Sequence, residues 1–219
     1  MDLEGFLAGM RDSYSRIAED YAGVPGQAQR PQLIERALLA AFAERILAGC
    51  GATVADVGCG PGQHTAALRE LGLDAYGIDL APGMVEVARR AHPGVPFEVG
   101  SMLELDRADG ELGGILSVYS IIHVPLELRA RVLAEFFRVL APGGLVMLVF
   151  QVGDEQGRRE EFQGHRIGID WYRQQPDDLV TLLRDAGFDI WLRAVREAEG
   201  AEKVPQGYLI AVKPKVKIF

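Results

Sequence analysis

Cysteine is nearly absent from this chain: only Cys50 and Cys59 occur among 219 residues. They have neither the paired spacing of a zinc site nor the density of a disulfide framework, so stapled folds are excluded and a reducing, cytoplasmic setting is expected. Positive charge is also short, with a formal net charge of −8. A surface of that sign repels a polyanion and lacks the counterion-release term that drives backbone binding, which argues against nucleic acid as a partner. No apolar run approaches the roughly 18 to 20 residues of a membrane span, and the start, Met1 to Phe6, has no basic segment or apolar run of a secretory leader. The few lysines gather at the end, where Lys213, Lys215 and Lys217 alternate as the solvated face of a last strand.

What remains is an ordinary globular composition, 48% hydrophobic and 25% charged, of a length that suits one domain. Phe6, Leu7, Met10, Tyr14, Ile17, Ala18 and Tyr21 recur at helical spacing until Gly23-Val-Pro-Gly26, and a second helical pattern runs from Leu33 to Leu47. Short β-rich runs then alternate with helical stretches: strands at 53–57, 75–78, 96–99, 115–119 and 145–150, and helices at 65–71, 84–91 and about 126–140. Such alternation predicts a parallel sheet with helices on both faces. After Gln151 a polar, aromatic stretch precedes a helix at 177–186 and two strands, 188–193 and 207–213, which read as a hairpin with an antiparallel closing strand. The expected divisions are a helical cap (1–48), a ligand-binding core (52–151), an insert (152–175) and a closing helix and hairpin (176–219).

The densest signal is Val54-Ala-Asp-Val-Gly-Cys-Gly-Pro-Gly-Gln63. Gly58, Gly60 and Gly62 directly after a buried strand permit a tight turn in which the backbone passes close to a ligand. A glycine-rich turn alone is also compatible with a plain structural bend or a dinucleotide site. Asp56 precedes the turn, where a carboxylate can orient the loop and accept from an ammonium group. Asp79 ends the next strand, about 20 residues on, where an acid can grip a ribose diol.

These residues resemble the class I S-adenosylmethionine-dependent methyltransferases. Asp56-Val-Gly-Cys-Gly-Pro-Gly62 is similar to the family's acidic-x-Gly-x-Gly-x-Gly loop; its third glycine follows one residue sooner than in the dehydrogenase fingerprint. Gly77-Ile-Asp-Leu-Ala-Pro-Gly-Met84, Arg138-Val-Leu-Ala-Pro-Gly-Gly144 and Tyr14-Ser-Arg-Ile-Ala-Glu-Asp-Tyr21 resemble, in the correct order, its ribose-binding, fifth-strand and N-terminal segments. The resemblance implies an α/β doubly wound, mostly parallel seven-stranded sheet of order 3-2-1-4-5-7-6, strand seven antiparallel, with S-adenosyl-L-methionine as cofactor and S-adenosyl-L-homocysteine as product. It places Tyr14, Tyr21, Asp56, Gly58, Gly60, Gly62, His64, Asp79, Leu80, Met84, Ser101, Met102 and Ser117 around the cofactor. Ser101 stands where many relatives carry an acid.

Methyl transfer needs an aligned acceptor and the exclusion of water, with a general base when a hydroxyl must lose its proton. His123, just after the fourth strand, is the candidate base, against a purely structural role in the loop. Tyr119, His165 and Trp171 are the candidate acceptor contacts; for the insert the competing reading is a strand with Ile167 and Ile169 inward and Arg166 and Asp170 outward. His92 reads as surface. The expected activity is transfer to a small molecule, oxygen favoured over nitrogen or carbon, in specialised metabolism, by a monomer or homodimer without membrane or nucleic-acid partners. A nicotinamide-dependent oxidoreductase and a regulatory protein that only holds the cofactor are the competing readings.

Overall fold

A computed structural model describes residues 2–24, 32–49 and 51–215. Cys50, Lys217 and the Pro25-Gly26 part of the first break lie outside the described residues. Two helices lead, α1 (Leu3–Gly23) and α2 (Leu33–Leu47). Asp2 caps α1 by accepting from the Gly5 N–H, and Glu35 reaches back to the Gln32 N–H at the start of α2, so each helix begins with an otherwise orphan donor satisfied.

The alternation follows: β1 (Thr53–Val57), α3 (Gln63–Glu70), β2 (Asp74–Asp79), α4 (Pro82–Ala91), β3 (Phe97–Val99), β4 (Leu112–Val118), a single 3₁₀ turn (Ile121–His123), α5 (Leu126–Val139) and β5 (Leu140–Gln151). Then come β6 (Gln156–Phe162), β7 (His165–Tyr172), α6 (Pro176–Asp185), β8 (Asp189–Arg196) and β9 (Gln206–Val212). The main sheet has seven strands in the order β3-β2-β1-β4-β5-β9-β8. Among the described residues β9 is the strand whose direction opposes the rest of this sheet, antiparallel to both β5 and β8. Because β6 and β7 pair with each other outside this sheet, its order is the expected 3-2-1-4-5-7-6.

Strand β5 shows how the sheet is held. Val146, Leu148 and Phe150 face one layer with Val132, Leu133 and Phe136 of α5 and Leu179 and Leu183 of α6. Leu145, Met147 and Val149 face the other with Leu39, Phe42 and Ile46 of α2. This period of two on a continuously apolar run is what a strand covered on both faces requires, and each fully buried side chain contributes roughly 1.5–3 kcal/mol.

Two expectations change. The insert is a β-hairpin whose first strand escaped sequence reading because Arg158, Arg159, Glu160 and Glu161 all face solvent and carry no alternation. Its second strand has Ile169 buried and Arg166 exposed, and Ile167 and Ile169 pack on Met10 and Ile17 of α1. Lys213 does not sit on a solvated face: its Nζ donates to the Phe137 and Leu140 carbonyls, both at 2.7 Å, and lies 4.6 Å from the Phe137 ring. A cation there satisfies the orphan carbonyls at the end of α5. Burial lowers its pKa.

Candidate functional site

The carboxyl ends of β1, β2 and β4 meet under α1. The glycine turn is tied to β2 by the Gly58 and Cys59 N–H groups, which donate to the Ile78 carbonyl at 2.7 and 3.0 Å. Gly58 has φ +78, and a Cβ there would stand 2.3 Å from Ser120 Cβ, so the loop and the turn after β4 approach at a distance only glycine allows. Gly60 faces open space, and its N–H donates to Asp79 Oδ2 at 2.9 Å, while Oδ1 accepts from the Ala81 N–H at 2.8 Å. Burial pushes the Asp79 carboxyl up to about 6, against the pull of these two N–H donors.

Asp79 and the turn border a cavity of about 880 Å³. Its floor is Val57, Gly58, Gly60 and Ser120; one wall is Leu80, Ala81 and Met84, another Ser101, Met102 and Leu103, and the roof is Phe6, Leu7, Met10, Tyr14 and Tyr21 of α1. His123, Val124 and Leu128 close the remaining side. Of the residues singled out in the sequence, Tyr14, Tyr21, Gly58, Gly60, Asp79, Leu80, Met84, Ser101, Met102 and His123 line it.

His123 holds a defined protonation state. Its Nδ1 lies 2.7 Å from the Asp170 carbonyl, which can only accept, so Nδ1 carries the proton and Nε2 carries the lone pair. The Tyr14 hydroxyl, 2.7 Å from Nε2, is therefore the donor. Burial lowers the His123 pKa and raises that of Tyr14 well above its ordinary value; the same effect takes Tyr21 up to about 12. All three are neutral at pH 7. The roof helix is stitched to β7 by Gly168 N–H to Ser13 Oγ at 3.0 Å, Arg16 to the Arg166 carbonyl at 2.9 Å, and His165 to Asp20 at 2.7 Å.

The other candidates stand elsewhere. Asp56 is buried beneath the turn, accepting from Thr65 Oγ1 at 2.7 Å, and burial raises its pKa. Ser117 lies behind Ser120: Ser120 donates to the Val57 carbonyl, so the Ser117 hydroxyl donates to Ser120 at 2.6 Å. Gly62 caps α3 with φ +87, its Cα facing Phe97 and His92. Tyr119 has φ +49, which turns its side chain towards α2, where its hydroxyl meets Glu35 at 3.3 Å; His64 sits 3.8 Å from the same carboxylate. His165 is occupied by Asp20, and Trp171 lies over Gly157 on the paired strand, 5.3 Å from Arg173. Acceptor contact by Tyr119, His165 or Trp171 through this cavity is thus not what the fold arranges. Ser120, Val124, Leu128, Phe6, Leu7 and Met10 line the cavity instead. The last three belong to the apolar stripe of α1, whose spacing marks a buried face without saying what it covers.

These residues fit an adenosyl ligand. Each Asp79 oxygen accepts one backbone donor and keeps a second lone pair for a diol, and among the described residues no cation pairs with the carboxylate. The open backbone at Gly60 and the apolar flank of Leu80, Met84 and Met102 supply room and a surface for a flat ring.

Residues 54–144 match the family model described as a methyltransferase domain. An uncharacterized methyltransferase of Mycobacterium ulcerans is 33% identical over 192 residues, 84% of this chain and 71% of that protein. The O-methyltransferase cnsE of Penicillium expansum is 29% identical over 175 residues, 76% of this chain and 62% of that one. Among solved structures, the 1,6-didemethyltoxoflavin-N1-methyltransferase of Burkholderia thailandensis, with 1,6-didemethyltoxoflavin and S-adenosylhomocysteine bound, superposes with a TM-score of 0.74 at 21% identity, covering 98% of this chain and 92% of that chain.

Proposed function

We propose that this chain, which belongs to the class I S-adenosylmethionine-dependent methyltransferases, transfers the methyl group to an oxygen of a small organic acceptor. The observation that carries the reading is His123 Nε2, neutral and inside the cavity, with its lone pair held by the Tyr14 hydroxyl. Bound S-adenosylmethionine supplies an electrophilic methyl group on a sulfonium sulfur, so the chain's own task is to hold, align and dehydrate. In this reading Asp79 holds the ribose, Leu80, Met84 and Met102 flank the adenine, and the backbone at Gly58 and Gly60 lies along the methionine portion, with Tyr14 and Tyr21 above.

An acceptor hydroxyl that replaces Tyr14 at Nε2 can deliver its proton there. The Asp170 carbonyl, already bonded to Nδ1–H, then stabilises the imidazolium. The roof that α1 lays over the cavity leaves room for a small molecule and excludes a polymer while α1 is closed. Similarity to an O-methyltransferase and to a small-molecule N-methyltransferase supports the substrate class, and the neutral base favours oxygen. In this division residues 1–48 act as the cap and 152–175 as the acceptor-side insert. The test is transfer of a labelled methyl group to a panel of hydroxylated metabolites, their amine analogues and bulk tRNA. Label in small hydroxylated products is expected; label confined to amines or to tRNA would sink the proposal.

A further inference from the structure

Outside the cavity, α1 and the hairpin enclose a second depression, an open groove of about 600 Å³ between Gly9, Asp12, Ser13 and Arg16 on one side and Arg158, Arg166, Ile167 and Gly168 on the other. Three guanidinium groups line it in a chain whose net charge is −8. By contrast, Arg107, Arg138 and Arg196 are each matched to a carboxylate, of Glu98, Glu135 and Glu202 respectively. Among the described residues Asp170 and Asp12 stand beside the three cations, and Glu161, across the hairpin from Arg166, accepts from the Gly164 N–H instead of pairing with it. Arg158 uses Nη1 on the two Asp170 oxygens, at 3.1 and 3.0 Å, and lays its Nη2 flat over Gly168, where any Cβ would stand 2.3 Å away. Arg16 spends one nitrogen on the Arg166 carbonyl. The Arg166 guanidinium is exposed and has no polar partner among the described residues.

We propose that this groove binds a phosphate group. The unpaired Arg166 guanidinium, with the Arg16 and Arg158 nitrogens not spent on the Arg166 carbonyl and Asp170, presents donors from two elements that match a tetrahedral anion with several acceptor oxygens and a charge near −2. The site lies beyond the methyl-transfer cavity, and α1 presents a different face to each: Met10 and Tyr14 line the cavity, Asp12 and Arg16 the groove. Yet the elements that form it are those that set His123: Tyr14 stands on α1, and the Asp170 carbonyl on β7. A phosphate bridging Arg16 to Arg158 and Arg166 draws these elements together, so by linkage it tightens whatever the closed cavity holds, and the cavity ligand tightens phosphate equally. The bearer is either free phosphate or a phosphate monoester.

The test is calorimetric titration at low ionic strength with sodium phosphate and with phenyl phosphate, against sodium chloride at matched ionic strength. Saturable one-to-one binding at about 1 mM or tighter is expected. Arg166→Ala should weaken it at least about tenfold. Asp12→Asn, which removes a repelling carboxylate, should strengthen it. Saturating phosphate should raise S-adenosylhomocysteine affinity about fivefold or more. Tighter binding of phenyl phosphate marks an ester as the ligand; equal binding marks free phosphate. Undiminished S-adenosylhomocysteine binding by Arg166→Ala in chloride shows that the variant is folded. No binding beyond the chloride control, or the same affinity in Arg166→Ala, overturns the site. Phosphate binding that leaves S-adenosylhomocysteine affinity unchanged overturns the coupling.

Discussion

Replacing Asp79 by Asn separates the two things this carboxylate does. In the unliganded protein it is held by two N–H donors, yet burial lifts its pKa from 3.8 to about 6, a penalty on the charged form of about 3 kcal/mol at neutral pH. A raised carboxyl contributes most to stability below pH 4, and that contribution is lost as the pH climbs through 6. Asn removes the penalty, but its amide nitrogen must face either the Gly60 or the Ala81 N–H, a donor against a donor that costs about 1–3 kcal/mol. The two nearly cancel, so the unliganded variant should unfold within about 1–2 kcal/mol of the parent. Ligand binding behaves differently. A diol donating to both carboxylate oxygens makes two charge-assisted bonds; Asn loses one and weakens the other, together about 3 kcal/mol, or about 150-fold in affinity. Diol donors favour the ionised carboxylate, so binding releases a proton below pH 6, and parent affinity should fall by up to about tenfold per pH unit from 6 towards 4. The assay is titration of S-adenosylhomocysteine across pH 4.5–8, with thermal melts of the unliganded forms. Affinity of the Asn variant within about threefold of the parent, or an acid limb that survives the substitution, would refute the role assigned to Asp79.

Further outcomes follow from the same geometry. His123→Ala should lower turnover at least about a hundredfold while S-adenosylhomocysteine affinity stays within about threefold, and Tyr14→Phe should cost much less, since it frees Nε2 without removing it. Because burial lowers the His123 pKa, turnover at saturating substrate should fall only below about pH 6.5; an unchanged rate in His123→Ala would return that residue to a structural role. Gly58→Ala places a methyl 2.3 Å from Ser120 Cβ at φ +78, and the left-handed strain and overpacking should together destabilise by about 3 kcal/mol, seen as a melting temperature lower by about 6–12 °C; an unshifted melt would show that the loop is not held against that turn.

The covered parallel sheet and the position of Asp79 were legible in the chain because both depend on local patterns, whereas the order of the strands was implied by the resemblance to the methyltransferase family. Apolar runs of strand length separated by helical periodicity can pack only as a covered parallel sheet, and an acid that ends the second strand emerges beside a glycine turn that ends the first. What only the tertiary structure decided is which side chains reach the cavity. Tyr119 follows β4 as closely as Ser120 does, but its positive φ sends it to Glu35 while Ser120 turns inward. His165 and Trp171 have suitable chemistry, yet a hairpin that carries its charge outward and lays Ile167 and Ile169 on α1 turns them to Asp20 and Gly157. The tautomer of His123 depends on a carbonyl 47 positions away and a hydroxyl 109 away. Spacing along a chain specifies faces of elements, whereas a pocket is made where faces of distant elements meet, and that meeting is set by packing.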